Sequence, residues 1–182
     1  MEAVPGVDTS VAHIARIQNY LRGGTDNFPA DRAAAEQARA AYPDLVSSIQ
    51  SNQAFLARAV RYLAGQAGVR QFLDIGTGLP TAGGVHEIAA DVAPGCRVVY
   101  ADNDPVVLAH ARALLAGRPP GRVRYLDADL RDTGRLLEQA AAALDFAAPV
   151  AIMLVSVLHM ISDGDGPHAL VAGLLEAVPA GS

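Results

Sequence analysis

The residues best suited to chemistry lie in Phe72-Leu73-Asp74-Ile75-Gly76-Thr77-Gly78-Leu79-Pro80-Thr81. An apolar run enters glycines that let the backbone turn tightly and approach a ligand, and a helix is expected just beyond, its N-terminus able to receive a carboxylate. A turn of this kind also serves dinucleotides, and it can equally be a plain connection from strand to helix. Two details favour S-adenosylmethionine. Asp74 stands just ahead of Gly76, and Thr81 takes the place of the third glycine in Gly-x-Gly-x-x-Gly. An acid there can engage the cationic amino group of a methionine moiety, whereas beside a pyrophosphate it would repel.

Further along, Asp102 follows the β-prone run Arg97 to Ala101. A carboxylate at a strand end can accept from both hydroxyls of a ribose, a role common to several adenosine cofactors. Asn103 adjoins it, and Asp104 before Pro105 suits a helix cap. A third run ends in Asp127-Ala128-Asp129-Leu130. Asp129 is the candidate acceptor for an adenine amine and Leu130 the candidate packing surface. Both acids can equally be solvated loop residues or caps.

These residues need elements to hold them. Short β-prone runs (71–75, 97–101, 122–126, 150–158) alternate with helical stretches (about 81–91, 105–116, 133–144, 168–177). That alternation predicts a mostly parallel, doubly wound Rossmann-like sheet of the α/β class, with ligand sites at the carboxyl ends of the strands. Ahead of it, residues 8–67 read as helical. Asp8, Thr9 and Ser10 offer caps for a helix carrying Val11, Ile14, Ile17 and Leu21, and Asp31 can cap an alanine-rich helix that stops before Pro43. A third helix follows, with Leu45, Ile49, Leu56, Val60 and Leu63 on one face. The expected division is a helical cap over 1–68 and a binding core over 69–182.

Composition narrows the class. The chain has 182 residues and 51% hydrophobic content, enough for one sizeable core. Its 14 basic residues, all arginine, face 19 acidic ones for a formal charge of −5, with no basic run to suggest a nucleic-acid partner. The longest apolar run, Val150 to Val155, is far short of the roughly 18 residues of a membrane span. No signal peptide is evident, and the single cysteine, Cys96, fits a reducing, cytoplasmic setting.

The motifs at Phe72–Thr81, Val98–Pro105, Leu126–Asp132 and Val157–Ile161, with Asn19–Phe28 and Asn52–Leu56, resemble an uncharacterised bacterial family provisionally assigned as class I, S-adenosylmethionine-dependent methyltransferases. The resemblance spans nearly the whole chain. It implies a transferase, with cofactor contacts from Asp74, Gly76, Thr77, Gly78, Pro80, Asp102, Asn103, Asp129, Leu130 and Ser156. It further implies a helical cap over the pocket that brings Tyr20, Asn27 and Phe28 near it, although those residues can equally just join two helices. Gln53 departs from the family pattern, where an arginine is expected. The chain also ends at Ser182, in what reads as the turn before a fifth strand. C-terminal strands therefore look to be missing, and an exposed sheet edge would invite homo-oligomers.

Methyl transfer asks mainly for alignment and exclusion of water. His159, past the fourth run, is the candidate proton acceptor, with a packing or capping role as the plainer alternative. Ser156-Val157-Leu158-His159 replaces the Asn/Asp-Pro-Pro-aromatic loop of nucleobase amino-methyltransferases, which leaves a small-molecule or protein acceptor. Metal chemistry finds little support: Asp163-Gly164-Asp165-Gly166 hints at a calcium loop, but Leu174 fills the position that needs an acid. Two other classes stay open, a noncatalytic or truncated S-adenosylmethionine-binding protein and an NAD-dependent oxidoreductase.

Overall fold

Apolar side chains at consecutive positions of a short run cannot all face one way, so Gln71–Ile75 forms a strand, β1, that is buried on both faces. The computed structural model describes residues 8–80, 83–115 and 121–182. Beside β1 lie β2 (Arg97–Asp102), β3 (Val123–Asp127) and β4 (Ala151–Met153), all parallel, in the order β3-β2-β1-β4. The register sets Asp74 opposite both Tyr100 and Met153, and Asp102 opposite Asp127. The chain steps outward from β1 to β3 and then returns to the far side of β1. The strand order therefore reverses between β1 and β4, and a ligand crevice is expected at their carboxyl ends.

Helices cover both faces. Three precede the sheet: α1 (Ile14–Leu21), α2 (Pro29–Ala41) and α3 (Leu45–Gly65). Between and after the strands come α4 (Val85–Val92), α5 (Pro105–Leu115), α6 (Thr133–Ala140) and α7 (Pro167–Glu176). Phe72 of β1, with Val98 and Tyr100 of β2, packs against Val60 and Ala64 of α3 and Val85, Ile88 and Ala89 of α4. Leu73 and Ile75 point the other way, onto Leu136 and Ala140 of α6 and Leu174 of α7. The period-two alternation along β1 thus feeds two separate cores, and Asp74 shares its face with Phe72. Among the described residues no helix is long and apolar enough to cross a membrane.

Several element ends differ from expectation for local reasons. The fourth apolar run, expected as a strand over 150–158, is extended only to Met153. Ser156 adopts a φ of 57°, which no strand residue can do, and Leu158–Met160 then turns into a short 3-10 helix. The first helix begins at Ile14, not near Asp8. The Asp8 carboxylate instead accepts from the Ser10 amide (2.9 Å) and hydroxyl (2.6 Å), making a turn of its own. Asp31 lies inside α2, where Oδ2 accepts from the Phe28 amide at 2.8 Å as one half of a capping box. The helix expected from about residue 81 starts at Val85 after Gly84; Thr81 lies outside the described residues.

Candidate active site

Three cavities meet at the carboxyl ends of β1, β2 and β4. The first, of about 280 Å³, lies between the Gly76–Gly78 turn, the start of α1, and Asp102, Asn103, Asp129 and Leu130. Both Asp102 oxygens are engaged: Oδ2 accepts from the Gly78 amide at 2.8 Å and Oδ1 from the Asp104 amide at 3.0 Å. This acid holds the glycine turn in place, and each oxygen retains a lone pair for a ligand hydroxyl. Burial raises its pKa, and the amides of Asp104 and Gly78 temper the rise. Asp129 is more heavily used. Oδ1 accepts from the Arg131 amide (2.9 Å), and Oδ2 accepts from Asn103 Nδ2 (2.9 Å) and Arg131 Nη1 (2.8 Å). Partial burial opposes its charge, but these donors together hold its pKa below the usual value.

The second cavity, of about 540 Å³, opens on the other side of the turn and is lined by Asp74, Thr77, Pro80, Tyr100 and Tyr125. Asp74 is only 7% exposed, and among the described residues no donor reaches its carboxylate. Burial, reinforced by the nearby charge of Asp102, pushes its pKa up to about 7. Tyr100 and Tyr125 stack with ring centroids 4.6 Å apart, and the Tyr100 hydroxyl accepts from the His86 amide at 2.9 Å. Burial drives the Tyr100 hydroxyl far above its ordinary pKa, so it is a neutral phenol.

The third cavity, of about 330 Å³, runs between α1 and α3 to Ser156 and His159. Ser156 borders all three, and Gln18 of α1 borders these and a fourth between α1, α3 and the glycine turn. The two side chains therefore stand where the compartments join.

A buried ionic cluster fastens α1 to this site. Arg16 (4% exposed), Asp31 (0%) and Asp104 (1%) are all removed from water. Arg16 Nε lies 3.2 Å from Asp104 Oδ2 and 3.7 Å from Asp31 Oδ1, while His13 Nδ1 approaches Asp104 Oδ2 to 2.6 Å. Asp31 Oδ1 also accepts from the His13 amide at 2.9 Å, and the Arg16 guanidinium sits 5.4 Å from the centre of the Phe28 ring. Burial works against the Asp104 charge, but His13, the Val106 amide and Arg16 outweigh it and hold its pKa below the usual value. Asp104 is tied to Asp102 through its own amide. The helical segment and the acid at the end of β2 are thereby one mechanical unit.

Of the residues singled out from sequence, Gly76, Gly78, Asp102, Asn103, Asp129, Leu130 and Ser156 line the first cavity. Asp74, Gly76, Thr77, Pro80 and Ser156 line the second, and Ser156 and His159 the third. Tyr20 and Asn27 are placed elsewhere. The Tyr20 hydroxyl donates to Glu36 at 2.9 Å, and Asn27 Nδ2 donates to Asn19 Oδ1 (3.0 Å) and the Gly24 carbonyl (2.9 Å), closing the turn before α2. Gln53, where an arginine was expected, faces Arg22; with its amide oxygen turned inward it accepts from Nε at 2.8 Å. Sequence reasoning missed Gln18, although a polar residue among Ile14, Ile17 and Leu21 on the packed stripe of α1 was a usable signal. It also missed Arg16 and the tyrosine pair, which carry no local signature.

A family model described as S-adenosyl methyltransferase matches residues 1–182. Two solved structures are similar. One, from Thermobifida fusca YX, is a provisionally assigned methyltransferase, 46% identical with a TM-score of 0.91 over 98% of this chain and 66% of its own. The other, a DUF574 family protein from Streptomyces avermitilis MA-4680, is 45% identical with a TM-score of 0.90 over 96% of this chain and 68% of its own. The chain thus spans about two thirds of the length of these relatives. No curated protein matches it.

Proposed function

Because the chain belongs to the S-adenosyl methyltransferase family, we propose that it binds S-adenosylmethionine across the Gly76–Gly78 turn and passes the methyl group to a small-molecule acceptor. The observation that carries this reading is Asp74: a buried carboxylate with no donor among the described residues, facing the cavity on one side of the turn while Asp102 faces that on the other. A carboxylate so placed suits an ammonium group, which would pair with its charge and lower its pKa. The residues present fit the rest of the molecule. Asp102 can accept from ribose hydroxyls, Leu130 offers an apolar face to adenine, and Asp129 Oδ1 keeps a lone pair for the adenine amine. Among the described residues a Cβ on Gly78 would meet nothing within 4 Å, so their side of the turn presents an open surface to a ligand.

Bound there, the cofactor would supply an electrophilic methyl carried on a positively charged sulfur, for transfer to an acceptor's electron pair. The chain's own work is orientation and exclusion of water. Asp102 fixes the turn, the ionic cluster holds α1 against the cleft, and Gln18 and Ser156 narrow the junction.

Titration calorimetry with S-adenosylhomocysteine, with NAD as control, tests the proposal. Saturable binding of the first alone is expected. Asp102→Ala should weaken it by about 1.5 to 3 kcal/mol, the range for hydrogen bonds to a charged group, or roughly 10- to 150-fold. Equal binding of NAD, or an unchanged affinity in the variant, would refute the assignment.

A further inference from the structure

Resting on the cofactor reading, we propose that His13, the residue just ahead of α1, is itself a cofactor-binding residue: its Nε2 hydrogen-bonds one ribose hydroxyl from the helical side of the cleft, while Asp102 takes the other from the sheet. His13 lines the same cavity as Asp102 and Asn103, the one whose residues fit a nucleoside. It stands close enough to Asp102 for its charge to favour the ionised form of that carboxylate. Its own residue type suits the task, because an imidazole nitrogen accepts when bare and donates when protonated. A hydroxyl can answer it in either state, whereas an adenine amine can answer in only one.

The ring is held before any ligand arrives. The His13 backbone amide donates to Asp31 Oδ1 at 2.9 Å, and Nδ1 lies 2.6 Å from Asp104 Oδ2, both acids being buried. An ionised carboxylate only accepts, so Nδ1 carries the proton; the opposite tautomer would leave the buried Asp104 Oδ2 without a hydrogen bond among the described residues. The Ala15 amide also approaches Nδ1, but at 3.4 Å it is the weaker contact. Yet 30% of the His13 side chain remains exposed. One nitrogen is thus anchored in the core, fixing the tautomer and the ring plane, and the open edge of the ring carries Nε2 to the cavity. Asp104 also donates its amide to Asp102 Oδ1 at 3.0 Å. The two residues assigned to the ribose therefore hang on one buried acid, which sets their spacing in advance and spares the ligand the cost of ordering them.

The test titrates the full chain calorimetrically with S-adenosylhomocysteine and with its 2′-deoxy and 3′-deoxy analogues. His13→Asn is the diagnostic variant. Asparagine is favoured ahead of a helix, and its amide reaches Asp104 from near the position of Nδ1 but places nothing where Nε2 stands. It should unfold in urea at the parent's midpoint, yet bind S-adenosylhomocysteine about 2- to 12-fold more weakly, the range for one hydrogen bond. Both analogues should bind the parent more weakly than the full ribose does. In His13→Asn the loss from one missing hydroxyl should vanish, and the loss from the other should persist because Asp102 still holds it. A residue that only props up α1 would leave both losses in place. His13→Ser, a second favoured cap, serves if the asparagine variant does not fold. Parent-like affinity in the folded variant, or two losses that both survive the substitution, would overturn the proposal. A parent that does not bind S-adenosylhomocysteine would overturn the cofactor reading with it, whereas equal binding by parent and variant sinks the role of His13 alone.

Discussion

Arg16→Met removes the cation at the centre of the buried cluster while keeping much of the side chain's packing over Phe28. The variant takes from Asp104 a guanidinium nitrogen at 3.2 Å and from Asp31 one at 3.7 Å. Breaking a buried ion pair from one side typically costs about 3 to 5 kcal/mol, because the partner charge is left behind. The lower figure applies here. Asp31 keeps the amides of His13 (2.9 Å) and Phe28 (2.8 Å), and Asp104 keeps His13 Nδ1 (2.6 Å) and the Val106 amide (2.6 Å). A loss of about 3 kcal/mol corresponds to a fall in Tm of roughly 6 to 12 °C for a chain of this size. Urea unfolding at neutral pH measures it directly.

The pH dependence provides a second check. The folded-state pKa of Asp104 is lowered, so its contribution to stability is present above the unfolded carboxylate value, about 3.9, and is lost as the pH falls through the folded value. The deficit of Arg16→Met should therefore shrink in acid. Arg16→Met combined with Asp104→Asn should recover part of the loss, with a coupling of about 1 to 3 kcal/mol. A neutral-pH deficit below about 1 kcal/mol, or one that does not change with pH, would refute the claim that the cluster ties α1 to the end of β2.

Asp74 tests the sign of a different electrostatic effect. Its folded pKa is raised to about 7, so its ionisation costs stability increasingly as pH rises from about 3.9 toward that value; Asp74→Asn should be more stable than the parent above this window and equal to it below. For the same reason, binding of S-adenosylhomocysteine just below neutral pH should release a proton as the ligand ammonium draws Asp74 into its charged form, seen as a dependence of calorimetric heat on buffer, and lost in Asp74→Asn. The two glycines separate strain from collision. Gly78→Ala, at φ 67° with no described residue near its Cβ, should cost only about 1 to 2 kcal/mol for the left-handed backbone. Gly76→Ala should cost clearly more in the same unfolding assay, because its Cβ would stand 2.5 Å from Val157 Cγ2.

What the sequence determined by itself was everything that local pattern encodes. Alternating apolar runs specified four parallel strands in an α/β sheet. The glycines after Ile75 marked the turn, and the acids at 74, 102 and 129 stood at strand ends, where a parallel sheet gathers its ligand contacts. Only the tertiary structure decided where β4 stops, since the left-handed φ of Ser156 is imposed by its surroundings and serine has no strong preference of its own for it. The same holds for the cluster of His13, Arg16, Asp31 and Asp104, drawn from three helices and their flanks, and for Gln18 as the residue bordering every compartment. Periodicity reports which face of an element is buried; it does not report what that face meets. Partners distant along the chain are chosen by packing, and it is packing that turned a helical prefix into one wall of the cleft.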